Sequence, residues 1–342
     1  MWWSRSRLGV VVVVVVALAA PVVSSADATS APQSSPVSSK IVFARYRATD
    51  APGDSSAGSR VALKPIAARD SDVLVMDQDG EHVRALTRGP AEDADPAWSS
   101  GGNRIAFVRR VGGKDTELFV MSGRGGDITR LTYNRAWEYS PSWSPSAEEL
   151  VYERHSARQM PGIFVLGLAD NNVRRLTSGC SDSSPRWSPS GASIVFTRSG
   201  LAPCESGNDE IFVMDSDGSD VRQLTDNPTN DWNPSWSPDG SLIAFERYDC
   251  AVDAPPGEPS CTTGEDMELY VMAADGTSEV RLRNNAVDEY WPSWSPDGGW
   301  IVFVRDGRRG NLNIFKMRSD GSDVTKLTRG PRSDRSPSWA PG

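Results

Sequence analysis

The phrase Pro-x-Trp recurs six times along this chain, and it constrains the fold more than any other feature. Successive copies lie 44 to 58 residues apart, a period typical of repeat proteins. A Ser-Pro-Asp-Gly turn or a relative usually follows each copy, then a β-type run, a Phe-Val-Met-like run, and a segment ending in Leu-Thr. The six copies are Pro96-Ala97-Trp98, Pro141-Ser142-Trp143, Pro185-Arg186-Trp187, Pro234-Ser235-Trp236, Pro292-Ser293-Trp294 and Pro337-Ser338-Trp339.

Each repeat holds four short segments rich in β-branched and aromatic residues, separated by turn residues. Asp-Gly and Pro-Asp-Gly favour tight hairpins because glycine tolerates positive φ. No stretch keeps a 3.6-residue hydrophobic period over several turns, which argues against stacked helices. The repeat therefore predicts an all-β fold of four-stranded antiparallel blades, a β-propeller.

The two ends of the repeat array predict how many blades there are and how the ring closes. The array begins in a second strand, residues Ile41–Arg45, and stops just after a first strand at Trp339. Five complete units and these two fragments predict six blades. We expect the C-terminal strand to pair with the N-terminal blade, which would remove two unpaired edges.

These repeats resemble the PD40 (WD40-like) repeats of the TolB-like six-bladed propeller family, over nearly all of the chain after residue 40. The resemblance implies a propeller domain alone, because only a short linker stands where TolB carries an extra α/β domain. TolB's place in a cell-envelope complex therefore does not transfer automatically. Related propellers gate prolyl-oligopeptidase-like hydrolases, but we find no hydrolase domain in this sequence.

The first residues predict export. Arg5 and Arg7 precede a short apolar run, residues 8–20, and small residues follow, which is the layout of a signal peptide. That run is shorter than the roughly 20 residues of a membrane span. We predict a signal peptide at 1–26, a flexible linker at 27–39 and the propeller at 40–342, in the periplasm or outside the cell.

Charge limits the partners. The formal net charge is −9, and removal of residues 1–26 would make it more negative. No clustered basic stretch recommends nucleic acid as a ligand. We expect a soluble monomer that binds a protein or a glycan.

Strand order assigns the connections to two faces. First-to-second and third-to-fourth turns lie on one face, here called the turn face; second-to-third loops and blade-to-blade links lie on the other, the loop face. Long insertions fall on the loop face, between Tyr46 and Asp72, Gly200 and Asn208, and Asp249 and Asp266. Variable loops on a rigid scaffold favour binding, so the loop face is predicted to carry the function.

Two residues of opposite charge mark every repeat. An acid stands three positions before each repeated proline, and an arginine ends each second strand, 16 residues later in the complete units. Folding the hairpin brings the two together, which predicts six acid–arginine pairs and argues against a calcium-binding ring of acids. The acids are Asp93, Glu138, Asp182, Asp231, Glu289 and Asp334; the arginines are Arg109, Arg154, Arg198, Arg247, Arg305 and Arg45.

Aromatic residues that are not shared by all repeats are the candidate binding residues. They lie in the links between blades and could line a sugar- or peptide-binding mouth, or pack under the loops. Acids outside the paired set could add polarity. The predicted binding residues are Trp137, Tyr139, Trp232, Tyr290, Trp291, Asp226 and Asp288.

No metal site or cofactor is predicted, and calcium is the one alternative, with weak support. The runs at Asp215–Asp220 and Asp320–Asp323 faintly resemble calcium loops, but they lack the closing glutamate and the flanking helices, so hairpin turns are favoured. Four cysteines in an exported chain predict disulfides, and Cys180–Cys204 with Cys250–Cys261 is the favoured pairing. Cys204–Cys250 is the main competitor.

Catalysis is not favoured by the residues present. The chain has two histidines, and His82 and His155 are predicted on opposite faces. No Gly-x-Ser-x-Gly elbow accompanies them. We predict a non-catalytic protein-binding module. Polysaccharide binding or cleavage by a lyase or hydrolase is the alternative, and a purely structural role in a cell-envelope assembly is a third.

Overall fold

The computed structural model describes residues 39–46, 70–112, 115–157, 159–200, 208–249, 266–285, 287–307 and 311–342. These residues form short β-strands joined by tight turns and links. The first twelve are β1 (Lys40–Tyr46), β2 (Ser71–Asp77), β3 (Arg84–Ala85), β4 (Asp93–Trp98), β5 (Arg104–Val111), β6 (Asp115–Ser122), β7 (Thr129–Arg130), β8 (Trp137–Trp143), β9 (Glu149–Ser156), β10 (Gln159–Gly167), β11 (Val173–Arg175) and β12 (Asp182–Trp187). The remaining strands are β13 (Ser193–Arg198), β14 (Glu210–Asp215), β15 (Arg222–Gln223), β16 (Asp231–Trp236), β17 (Leu242–Asp249), β18 (Asp266–Ala273), β19 (Val280–Arg281), β20 (Glu289–Trp294), β21 (Trp300–Asp306), β22 (Leu312–Arg318), β23 (Thr325–Lys326) and β24 (Ser333–Trp339).

The strands form antiparallel meanders of four. Four sheets have the orders β24-β1-β2-β3, β12-β13-β14-β15, β16-β17-β18-β19 and β20-β21-β22-β23. A fifth sheet of eight strands contains two further meanders, β4 to β7 and β8 to β11, joined where Thr116 pairs in parallel with Trp137. The predicted all-β propeller of four-stranded antiparallel blades is confirmed.

The innermost strand of each meander contacts the innermost strand of the next. These contacts run from β4 through β8, β12, β16 and β20 to β24, and β24 contacts β4. β24, near the C-terminus, pairs with β1, the first strand, so that Trp339 lies opposite Ile41 and Asp334 lies opposite Arg45. The first meander therefore takes its inner strand from the far end of the chain.

The core lies between neighbouring blades. Second and third strands are buried on both sides, which explains near-continuous apolar runs such as Ile105–Val108 instead of an alternating pattern. The repeat tryptophans fill these junctions: Trp187, 8% exposed, packs with Val151 and Val165 of the preceding blade. Burying such a side chain contributes about 2–3 kcal/mol.

The Asp-Gly turns also pack closely against the preceding blade. Gly276 has φ +89°, and a Cβ there would lie 2.6 Å from the carbonyl oxygen of Leu224 in the preceding blade. Glycine is thus required at this turn by both backbone conformation and space.

Some sequence predictions fall on residues outside the described ranges. They are the signal peptide at 1–26, nearly all of the linker at 27–39, and three of the four cysteines, Cys204, Cys250 and Cys261. Cys180 is described and buried, but the predicted pairing stays a prediction. Within the parts of the chain that the structure describes, no helix has the length and apolar character needed to cross a bilayer.

Candidate functional site

Every inner strand carries a residue with positive φ immediately before its proline. The φ angles lie between 46° and 51°, and the pairing register shifts at the same place in each strand. A residue before proline ordinarily takes an extended conformation, so a bulge repeated in all these strands is built into the repeat. The six residues are Asp95, Ser140, Ser184, Asn233, Trp291 and Ser336.

Several of these bulge residues are linked by hydrogen bonds between blades. The carboxylate of Asp95 accepts from the Ser140 amide at 3.2 Å and from the Ser336 hydroxyl at 2.9 Å. The hydroxyl of Ser184 donates to Asn233 Oδ1 at 2.8 Å. Asp95 thus connects three consecutive inner strands, which fixes their approach at the centre of the ring.

Buried charges surround this centre. Glu153 and Glu246 are 3% and 2% exposed, and each accepts an amide from a bulge residue of the next blade, Ser184 and Trp291 respectively. Arg186 is the cation that interacts with both glutamates and with Asp95. Burial raises the pKa of Asp95, and it raises that of Glu246 to about 7. Burial also lowers the pKa of Arg186.

A cavity of about 530 Å³ opens from this cluster towards the turn face. Its rim comes from first-to-second turns, including Ser100, Pro145 and Pro238, and all six repeat tryptophans are among the residues that line it. Asp95, Arg186 and other residues around the bulges lie along its inner strands. The surface is thus a mixture of aromatic, proline and hydroxyl groups beside a few charges, which suits a partly apolar ligand with polar groups.

Residues 38–202 match the family described as the TolB β-propeller domain (PD40). The structure resembles that of TolB from Acinetobacter baumannii with a TM-score of 0.68 and 22% identity, over 89% of this chain and 67% of that one. The chain resembles the TolB-like propeller family over these residues.

Other relatives match smaller parts of the chain or of their own length. A putative TolB from Agrobacterium tumefaciens superposes with a TM-score of 0.58 and 23% identity, over 72% of this chain and 84% of that one. An uncharacterized protein, Atu1656, from Agrobacterium fabrum is 27% identical over 40% of this chain and 41% of its own length. The Tol-Pal system protein TolB from Geobacter sulfurreducens is 35% identical over 24% of this chain and 18% of its own length. The TolB-like propeller therefore matches less than half the length of either of these last two relatives.

The predicted acid–arginine pairs of the TolB-like propeller are confirmed. All six acids are at most 2% exposed, and each pairs with the predicted arginine, which also lies opposite it in the strand register. The closest N–O distances are 2.6 Å for Asp93–Arg109, 3.0 Å for Glu138–Arg154, 2.7 Å for Asp182–Arg198, 2.7 Å for Asp231–Arg247 and 2.6 Å for Asp334–Arg45, and Glu289 pairs with Arg305. These acids serve the scaffold.

Two of the predicted binding aromatics lie on β8. The Tyr139 ring meets the His155 ring edge-on at 5.5 Å, and burial raises the pKa of Tyr139 to about 12. Trp137 lies opposite His155 in the strand register, and His155 pairs with the buried Glu153. Trp137 and Tyr139 are half-buried, so part of each side chain packs within the scaffold and part is left to contact a ligand.

A second group lies on β20. The Tyr290 hydroxyl donates to Asp288 at 2.9 Å, and its ring contacts that of Trp291 at 5.6 Å. Trp291 also lines the cavity, the one predicted binding residue to do so among those described. Trp232 donates its indole N–H to Asp209 at 2.7 Å, whereas Asp226 is exposed. The structure therefore distributes the seven predicted residues over several strands and links.

Nothing in the described residues groups three or more His, Cys, Asp or Glu side chains in a geometry that could hold a metal ion. His82 is exposed and lies 2.7 Å from Asp77 at a third-to-fourth turn, on the turn face. His155 lies near the end of a second strand, on the loop face. The two histidines thus fall on opposite faces, as predicted.

Sequence reasoning missed a second buried acid in several blades. Glu117, Glu210 and Glu268 lie in the first part of third strands and are fully buried. In each case an asparagine of the following link joins this acid to the paired acid of the next blade; Asn227, for example, donates its backbone amide to Glu210 at 3.1 Å and its side-chain amide to Asp231 at 2.8 Å. The sequence signal was an asparagine four positions before the paired acid, at Asn134, Asn227 and Asn285.

Proposed function

We propose that this chain is a non-catalytic, exported protein-binding module of the cell envelope, built as a six-bladed propeller. Counting the eight-stranded sheet as two blades gives six, and the ring of inner-strand contacts supports this count. We also propose a signal peptide at 1–26 and a linker at 27–39 ahead of the propeller at 40–342. The name of the Geobacter relative, a Tol-Pal system protein, supports a role in an envelope protein assembly.

The central cavity is the observation that carries this proposal. Tryptophan is enriched where proteins bind one another, and here it alternates with proline and serine around an opening of about 530 Å³. Asp95 and Arg186 lie beside the same surface and offer hydrogen-bonding groups of both signs to a bound segment. The sequence favoured the loop face; the cavity instead supports the turn face as the place where a partner segment inserts.

Filling the cavity tests the proposal. Ser235 and Ser338 line it from inner strands, at the repeat position that Arg186 occupies in another blade, so this position admits a long side chain. Ser235→Trp with Ser338→Trp should abolish capture of a specific envelope protein by the immobilised mature chain. Exposed Ser178 on the loop face supplies the matched control, Ser178→Trp.

Retained proteins are identified by mass spectrometry, and folding of both variants is checked by circular dichroism. A protein held by the wild type and the control but lost from the filled variant supports insertion into the cavity. Equal retention by the filled variant would contradict it. Retention or cleavage of an envelope polysaccharide, with no protein retained, would favour the alternative of a glycan-binding or glycan-cleaving propeller.

A further inference from the structure

Exposed arginines lie on one side of the loop face. There are four of them, and they belong to the three links that lead into β24, β4 and β8. These inner strands are consecutive in the ring, since β24 contacts β4 and β4 contacts β8. We call this set, Arg329, Arg332, Arg88 and Arg135, the arginine arc.

The arc stands out against the rest of the same face. The chain has a formal net charge of −9, yet no exposed acid lies on these three links in the described structure. The other links expose Ser178, Asn284 and, before β16, Asp226. Among the described links, the exposed positive charges therefore lie on the three links of the arc, and the one exposed carboxylate lies on another link.

The arginines of the arc are not engaged within the protein. The other arginines of the same sector already have partners: Arg110 pairs with Glu92 at 2.6 Å, and Arg335 lies over the rings of Tyr46 and Trp291. In contrast, no ion pair or hydrogen bond holds the side chains of the arc among the described residues. Their guanidinium groups remain available to an external anion.

An aromatic side chain accompanies the arc. Tyr133, in the same link as Arg135, is 74% exposed, more than any other large hydrophobic side chain described. The Arg130 guanidinium lies 4.5 Å from its ring centroid and restricts the ring. Arginine and tyrosine are the residue types that contribute most to protein–protein binding, and a guanidinium binds a carboxylate in a planar, two-bond geometry.

We propose that the arginine arc with Tyr133 binds an acidic, Asp/Glu-rich segment of a partner protein. The segment would run in extended form along the three links, with its carboxylates on the arginines and one side chain on the tyrosine ring. This surface lies on the face opposite the rim of the central cavity, so one chain could hold two protein segments at once. Binding should weaken as salt rises, because these charges are exposed.

A charge-matched pair of variants tests the arc. The probe is fluorescein-labelled deca-glutamate, followed by fluorescence anisotropy at low ionic strength, with deca-glutamine as the uncharged control peptide. One variant removes the arc; the other removes the same charge from the turn face, where the arginines are also exposed. The arc variant is Arg88→Ala, Arg135→Ala, Arg329→Ala and Arg332→Ala, and the control is Arg84→Ala, Arg124→Ala, Arg222→Ala and Arg318→Ala.

We expect the arc variant to lose about tenfold or more in affinity for deca-glutamate, while the control stays within about twofold of the wild type. Tyr133→Ala should weaken binding further without changing its salt dependence. Equal losses in both charge variants would overturn the proposal, since they would mean diffuse attraction. Absence of peptide binding, or tighter arc-dependent binding of a decamer of galacturonate, would overturn it as well.

The two proposals fail separately. The variant with a filled cavity, Ser235→Trp with Ser338→Trp, should bind deca-glutamate as the wild type does. Loss of deca-glutamate binding in that variant would place the acidic segment in the cavity and not on the arc.

Discussion

At the scale of single residues, the repeats let one position be compared with its equivalents in the same molecule. Glu117 and Glu268 each pair with an arginine of the fourth strand, Arg130 and Arg281, at 3.0 Å. In the blade of Glu210, Gln223 stands at the position of these arginines; it donates to the Thr225 carbonyl at 2.7 Å but carries no charge. Glu210 is thus a fully buried carboxylate whose blade lacks the arginine that its equivalents use.

This difference predicts how stability depends on pH. Burial, with Asp231 nearby, raises the pKa of Glu210 to about 7, against the attraction of Arg247; Arg198, opposite in the register, is already paired with Asp182. Because the folded pKa exceeds the unfolded one, the folded state binds an extra proton between pH about 4.5 and 7. Lowering the pH from 7.5 to 5 should therefore raise the contribution of this group to the free energy of unfolding, by about 1–3 kcal/mol.

Gln223→Arg supplies the arginine found in the other two blades. We expect it to lower the pKa of Glu210 and to reduce the gain in stability on acidification by the share of this group, as measured by urea unfolding at pH 5 and 7.5; Glu246, whose pKa is also raised to about 7, keeps its own share. Arg222→Gln, one residue away on the exposed side, is the control. A difference between the two pH values as large in Gln223→Arg as in the wild type would show that Glu210 does not contribute to the pH dependence of stability.

At the scale of elements, a threonine joins the third strand to the link that follows the fourth. Its hydroxyl accepts from the first core amide of the third strand, at 2.9 Å in both Ile211–Thr225 and Ile314–Thr328. The hydroxyl of Thr225 also donates to the buried Glu210 at 2.6 Å. One threonine therefore satisfies two buried groups, and the other satisfies one.

Valine has nearly the shape of threonine but no hydroxyl. Thr328→Val should lower the free energy of unfolding by about 1–2 kcal/mol, because it leaves one buried amide unpaired. Thr225→Val should lower it by about 1–2 kcal/mol more, since the carboxylate of Glu210 loses a donor as well. Chemical denaturation of the two variants side by side measures the difference; equal losses would argue that Glu210 gains nothing from the hydroxyl.

These elements also explain what the sequence could and could not predict. The acid–arginine pairs were predictable because both residues lie in one hairpin, and a constant spacing of 16 fixes their register. The link between Glu210 and Asp231 was missed, although Asn227 marks it, because it joins a third strand to the next blade and occurs in only some junctions. The cavity depends on bulges such as that at Trp291, where a bulky residue before proline takes positive φ against its ordinary preference. Every repeat has this bulge, but the proline alone predicts an extended residue before it, so the sequence did not predict the conformation.

At the scale of the whole molecule, the pairing of β24 with β1 joins two segments that are distant in sequence. Trp339 packs there with Ile41, and Arg45 holds Asp334 at 2.6 Å. Other junctions, such as that of Trp187, join blades that follow each other along the chain. Loss of contacts at the β24 junction can therefore release one strand, whereas an internal junction is confined by covalent links on both sides.

Hydrogen exchange distinguishes these two kinds of junction. Trp339→Ala and Trp187→Ala remove side chains of similar burial, 6% and 8% exposed, and each should cost about 3–5 kcal/mol. In Trp339→Ala the amides of β24 and of its partner β1 should exchange by local opening, at denaturant concentrations that leave the other strands protected. In Trp187→Ala we expect β12 and its neighbours to exchange only with global unfolding. If β24 stays as protected as the rest of the ring in Trp339→Ala, the propeller unfolds as one unit and the β24–β1 pairing is no weaker than an internal junction.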